Sequence, residues 1–439
     1  SSGRAISVGR VRCGAAWACR SASSSSSQSK LVLQLRDSHG KPPPGPRPSP
    51  IFGNSTLLQN AYHETLLQYA IESPVTLFWA GRNPFVLVTG KDEVRRVLRG
   101  SVYHKPRYVG YQNKALDAAV SSQQTVHIHE RDNETEERPA LKAIIEEQFP
   151  TIVAHAKAYA AQLAHHGVGS GFGHRMNIQT LNQRMAVHLN LKVLFDYESP
   201  HLDKLADTIQ RGGREFSKRI LNPYRGLLNP FSNLTYFMDV LRIIRHGRKL
   251  TKHLDESSKD TWVHSWVTRD GISSIRYFGK VVGLLMAATQ TLPLTLTWAM
   301  YHIGNDSSFM RAIRREVNAL AREVCVREQI DPAQSDWRDF LSLTDVRDGL
   351  PYTEALIKET LRCYPPFPLI QRAPASNDVL NDFKVPASLT VSIVPWVIHH
   401  HPAYWEDPMT FKPERFLGES AQKYSPFVYL PFGRGPYSW

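Results

Sequence analysis

Residues 279–303, GKVVGLLMAATQTLPLTLTWAMYHI, are strongly apolar and of helix length. A helix that is apolar on most of its faces has to be buried inside a substantial body. Its uninterrupted apolar runs, such as VVGLLMAA at 281–288, are too short for a convincing membrane span. A buried helix needs no polar residues, so Thr289, Gln290 and Thr291 at its middle ask for a reason. One is structural: threonine hydroxyls can bond back to carbonyls one turn earlier, and Pro293 leaves a carbonyl in need of such help. The other is chemical, and depends on what surrounds the helix.

The surroundings are extensive. A chain of 439 residues with 42% hydrophobic and 21% charged residues can bury a large core. Helical patterns run from about 90 to 365, with loops at 196–202 and 222–233. Short strands are expected at PVTLFWAG (74–81) and PFVLVTG (84–90), and again within LTVSIVPWVI (389–398). This describes a mainly α, α+β fold. Residues 1–40 read as a leader: the first 36 hold no Asp or Glu but carry Arg4, Arg10, Arg12, Arg20, Lys30 and a serine run. That composition suits a transit peptide, a disordered tail or a misplaced gene start. The proline-rich stretch 41–54, KPPPGPRPSPIFGN, cannot be helical and reads as a hinge, followed by one domain over 55–439. The sequon Asn54-Ser55-Thr56 is expected to go unused beside it.

Net charge is +13, compatible with a membrane surface or an acidic protein partner. The run RHGRK at 245–249 could serve either, or be a solvated helix face. No zinc-finger, RNP or helix-turn-helix signature supports nucleic acid. Four cysteines, Cys13, Cys19, Cys325 and Cys363, give neither a disulfide framework nor C-x-x-C spacing, and favour a reducing location.

The segment EALIKETLRCYPPFPLIQRAP (354–374) has helical spacing and stops at Pro365-Pro366. Glu359 and Arg362, three apart, share one face and can pair. About fifty residues later come WEDPMTFKPERF (405–416) and then PFGRGPYSW (431–439). Glu-x-x-Arg before a double proline, then P-E-R-F, then F-G-x-G is a specific ordered series. It resembles the cytochrome P-450 family of haem-thiolate monooxygenases over roughly residues 41–439, and implies that family's helix-rich fold with small sheets near both ends.

By that resemblance, Glu359, Arg362 and Arg415 form a buried salt-bridged triad beneath the haem (iron protoporphyrin IX). The 279–303 helix covers the oxygen site with Ala287, Ala288 and Thr291, the last passing protons. Many members have an acid before this threonine; here Gln290 cannot ionise and could only orient water. Together with Trp298, the Q-T-L-P run looks like the sterol 7-alpha-hydroxylase and prostacyclin synthase branch, which implies a bulky sterol or fatty-acid-like substrate. Arg372 stands where the family supplies a propionate partner, and His127 with Arg131 has the spacing of a second pair in a stretch that reads as a solvated loop.

The haem loop F-x-x-G-x-R-x-C places Phe432, Gly433 and Gly435 around the cofactor, Tyr437 where Arg is usual, and Trp439 on the cysteine. Indole nitrogen offers no lone pair to iron, whereas the thiolate is what favours O–O cleavage. No metal ligand is therefore assigned. The chain is expected to be cut at or just before its ligand, with the elements after the loop missing, and to be inactive, haem belonging to the full-length protein. The resemblance further implies NADPH-cytochrome reductase or ferredoxin as electron donor, a membrane surface, and the endoplasmic reticulum or alternatively the mitochondrion. Two alternatives stand beside it: a haem-less relic or interaction protein, and a peroxide isomerase that needs no redox partner.

Overall fold

The computed structural model describes residues 31–50, 52–60, 62–80, 83–104, 142–168, 177–221, 230–256 and 275–435. Helices α1 (Ser55–Asn60) and α2 (Tyr62–Glu72) lead into strands β1 (Val75–Ala80) and β2 (Asn83–Val88). Helix α3 (Lys91–Arg99) and the short β3 (Tyr103–His104) follow. The helical body consists of α4 (Phe149–Val168), α5 (Ile178–Phe195), α6 (Leu202–Leu221), α7 (Pro230–Glu256), α8 (Ile275–Asn305) and α9 (Ser307–Glu328). Then come α10 (Leu343–Gly349) and α11 (Pro351–Cys363), and strands β4 (Ile370–Pro374), β5 (Asp378–Leu380), β6 (Phe383–Val385) and β7 (Val391–Ile393). Helix α12 (Pro395–His399) and a 3-10 turn over Pro413–Phe416 precede the terminal loop. The expected pattern, helices in the middle and small sheets near both ends, is what is found.

Local chemistry explains several boundaries. Helix α11 starts on Pro351, whose missing N–H is no loss in a first turn, and ends before Pro365. Asn177 and Asp306 cap α5 and α9 by accepting the amides of Thr180 and Ser308. Strands β5 and β6 are joined by Asn381-Asp382, both left-handed at φ 44° and 67°, which the tight hairpin needs.

The main sheet runs β1-β2-β7-β4-β3, so the N-terminal hairpin and the strands after the helical body meet in one sheet through the parallel β2–β7 pair. β1 is buried along its whole length. Val75, Leu77 and Trp79 face a core shared with Val391, Ile393, Trp405, Phe427 and Leu430, while Phe78 and Ala80 face Leu66, Phe85 and Val397. That two-sided burial accounts for a strand with almost no polar alternation. A separate core is made by α5–α8, through Val187, Leu191, Leu205, Ile209, Ile243, Leu250, Val281 and Leu285.

Two expectations need correction, the extent of the leader and the membrane-span reading of 279–303. Residues 31–40 are not wholly a leader, because Val32 and Leu35 are buried in the sheet core and Lys384 donates its amide to the Arg36 carbonyl. The proline-rich stretch 41–54 packs along β1: Leu77 donates its amide to the Pro44 carbonyl, and a Cβ on Gly45 would stand 2.0 Å from the Leu77 oxygen. Asn54, 2% exposed, accepts from the Trp79 amide and donates to the carbonyls of Pro46 and Arg47, which leaves no free amide for a glycan. Finally, Val281–Asn305 is long and apolar enough, by length and composition, to cross a membrane. Here it packs against α5, α6, α7, α9 and α11 as part of the helical body. Residues 1–30 of the leader lie outside the described residues.

Candidate functional site

Glu359 and Arg362 sit one turn apart on α11, and both side chains are fully buried. Arg362 meets the carboxylate with a two-pronged fork, Nε to Oε2 at 2.7 Å and Nη2 to Oε1 at 2.8 Å. Its remaining N–H groups donate to the carbonyls of His399 and Pro408 (2.8 Å each) and Thr410 (3.2 Å). Arg415, 4% exposed and more than fifty residues away in sequence, brings Nε to 3.4 Å from Glu359 Oε1 and donates to the Asp407 carbonyl at 2.8 Å. Glu359 also accepts the Lys412 amide at 2.8 Å. The coil 407–415 is thus wound around a buried ionic knot in which each charge has a counter-charge within reach.

Cys363, next in the chain, lies inside this knot, 3.0 Å from Arg362 Nη2. Burial, with the Glu359 carboxylate adding to it, pushes its thiol up to about 12. A protonated thiol held among these groups is not a metal donor. The other cysteine among the described residues, Cys325, stands on α9.

Sequence reasoning missed the residue that connects the knot to the terminal loop. His399, buried, donates from Nδ1 to the Arg362 carbonyl (3.0 Å) and accepts the Leu430 amide at Nε2 (2.8 Å). Those two bonds define its tautomer. Burial holds the imidazole down to about 3, so it is neutral. Next to it, Tyr429 donates its hydroxyl to the Lys358 carbonyl. The only visible signal was a His-His-His run after an apolar segment.

Beyond Leu430 the chain turns on Gly433 and Gly435, at φ 73° and 81°, conformations that favour glycine. Gly435 presses on the end of α3, where a Cβ would come 2.0 Å from the Leu98 carbonyl oxygen. Phe432, just before Gly433, is half exposed. Tyr437 and Trp439 lie outside the described residues, as do His127 and Arg131.

On α8, Thr291 donates to the Ala287 carbonyl at 3.1 Å, and Thr289, Thr295 and Thr297 bond back to Leu285, Thr291 and Pro293. Ala287, Ala288 and Thr291 are half-buried. The Gln290 amide lies over Gly213 of α6, where a Cβ would meet Nε2 at 2.7 Å. Arg372 is buried on β4 and donates to the neighbouring Gln371 carbonyl. A surface cleft of about 700 Å³ lies beside α3, lined by Arg95, Arg96, Tyr103 and Asp378 among others, and none of the residues singled out from the sequence line it.

The helix before the double proline thus carries a buried Glu-Arg-Arg knot that is tied through a neutral histidine to a glycine-turned loop. Residues 276–438 of the chain match the cytochrome P450 family profile. Among curated relatives it is 35% identical to thromboxane-A synthase of Macaca fascicularis over 36% of this chain and 27% of that protein. It is 32% identical to (S)-N-methylcoclaurine 3'-hydroxylase isozyme 1 of Eschscholzia californica, over 43% and 36% respectively. The chain thus spans about a quarter to a third of the length of these relatives.

Do the residues present fit a haem? The glycine turn, the exposed Phe432 ring and the small Ala287–Ala288 surface suit a flat apolar group. An axial thiolate is not supplied by either cysteine among the described residues.

Proposed function

We propose that this fold serves haem-dependent monooxygenation of a lipophilic substrate of the sterol or fatty-acid kind. The observation that carries the proposal is the Glu359–Arg362–Arg415 knot joined through His399 to the glycine loop. Bound there, the haem would supply the oxygen chemistry. The protein's own residues have defined tasks around it. The knot stiffens the coil under the cofactor, so that the loop 431–435 keeps one shape. Arg372 offers a guanidinium to a propionate. Ala287 and Ala288, being small, would leave room beside the cofactor, and the Thr291 hydroxyl, which donates to the Ala287 carbonyl, would hold or pass a proton. Gln290 contributes by packing on α6 rather than by ionising.

The apolar α8 favours a lipid-like substrate. The +13 charge suits an acidic electron donor, NADPH-cytochrome reductase or a ferredoxin, and a membrane surface, with no role for nucleic acid. We place the protein at the endoplasmic reticulum, with the mitochondrion as the alternative. We further infer that the 439 residues alone give no thiolate-ligated haem and no monooxygenase turnover.

The test compares the chain with its Trp439→Cys variant, each loaded with haemin, reduced and exposed to carbon monoxide. The variant is expected to gain a thiolate-type Soret band that the parent lacks. A band in the parent overturns the inactivity inference. A variant that is folded by circular dichroism yet shows no band overturns the haem reading. Gln290 supports a second reading, peroxide rearrangement without external electrons, which turnover of a lipid hydroperoxide in the absence of NADPH would establish.

A further inference from the structure

We propose that helix α5 is a positioning element for the Ala287–Thr291 turn of α8, with Gln183 replacing the hydrogen bond that Pro293 removes. Calling that turn the oxygen-site segment rests on the function proposed above; the hydrogen bonding does not. Pro293 has no N–H, so the carbonyl four residues earlier, that of Thr289, loses its helical donor. Thr289 is fully buried, which leaves no water to take over. Its own hydroxyl is committed to the Leu285 carbonyl. The missing donor comes from another helix: Gln183 Nε2 lies 2.7 Å from the Thr289 oxygen.

Two turns on, the same face of α5 presents Asn190, whose Nδ2 lies 2.7 Å from the Ala288 oxygen. Three successive carbonyls of α8, those of 287, 288 and 289, therefore each accept a side-chain donor, from Thr291, Asn190 and Gln183. A third amide, the fully buried Asn182, donates to the Thr297 hydroxyl (2.9 Å), which itself donates to the Pro293 carbonyl, and accepts from the Tyr159 hydroxyl of α4. Asn and Gln side chains at buried positions of a helix are costly unless they are hydrogen-bonded. All three spend their donors on α8, and they bracket its proline. Gln183 and Asn190 are thus positioning residues that act through the α8 backbone on Thr291.

The proline gives a test that separates this role from ordinary packing. In the full chain, Gln183→Met keeps the length of the side chain and removes the donor. Amide hydrogen exchange in a peptide covering 286–296 is expected to rise about tenfold, with peptides from the β1–β2 hairpin unchanged. Pro293→Ala returns an N–H to the Thr289 carbonyl, so in that background the same Gln183→Met change should raise exchange less than twofold. Pro293→Ala alone should slow exchange. Asn190→Leu should raise it two- to threefold, because Ala288 keeps its helical donor, and Pro293→Ala should not rescue it. An equal rise from Gln183→Met in both backgrounds, or none in either, overturns the inference, as does faster exchange in Pro293→Ala. None of these readouts involves haem, so a negative carbon monoxide spectrum would defeat the proposed function and leave this inference standing.

Discussion

His399 offers the sharpest test of how the terminal loop is held. In the folded chain burial keeps its imidazole down to about 3, whereas an exposed histidine titrates near 6.5. The sign follows from proton uptake. Below pH 6.5 the unfolded chain binds a proton that the folded chain refuses, so the stability from this group is complete above about 6.5 and is lost as pH falls toward about 3. At pH 5 the loss is 1.5 pH units at about 1.4 kcal/mol each, or about 2 kcal/mol. His399→Phe keeps a ring beside Tyr429 and removes both hydrogen bonds and the titration. It strands the Arg362 carbonyl and the Leu430 amide, at about 1–3 kcal/mol each, so at pH 7 the variant should be less stable by about 2–6 kcal/mol. In urea unfolding, the gap between the two proteins should shrink by about 2 kcal/mol from pH 7 to pH 5. His400, His63, His302 and His401, all lowered by burial, are common to both proteins and cancel. Parallel stability curves across that interval would refute the reasoning.

Other outcomes follow from the same structure. Glu359→Gln leaves Arg362 and Arg415 buried without their counter-charge and should lower stability by about 3–5 kcal/mol in urea unfolding; a loss under 1 kcal/mol would show the knot to be slack. Gly435→Ala sets a Cβ against the Leu98 carbonyl at a left-handed position, and limited proteolysis should then cut near 431–435 in the variant first. Asn54→Ala releases the Trp79 amide and the proline segment, so cleavage within 41–54 should accelerate by about tenfold, the equivalent of 1.4 kcal/mol. Unchanged cleavage would mean that the hinge is held by its other contacts.

Short spacings were readable from the residue order because they are properties of single elements. A separation of three puts Glu359 and Arg362 on one turn of helix, and Pro365 ends that helix whatever lies around it. The VTLFWA run and the apolar 279–303 stretch declared a strand and a buried helix for the same reason. Pro293 even announced a carbonyl in want of a donor, and the threonines that bond back were anticipated.

Which partner crosses from one element to another is decided by packing, and no local spacing encodes it. Arg415 was placed beside Glu359 only through resemblance to a family. His399 as the link to Leu430, Gln183 as the donor for Thr289, and Gln290 lying on Gly213 came from how α12, α5 and α6 approach their neighbours. Val32 and Leu35, in the short LVLQLR stretch read as leader, are core residues because the sheet they cover is assembled from strands three hundred residues apart. The amino-acid order determined the elements and their internal pairs; the folded packing alone chose the long-range partners, because burial makes each polar group take whichever donor or acceptor the neighbouring element brings within reach.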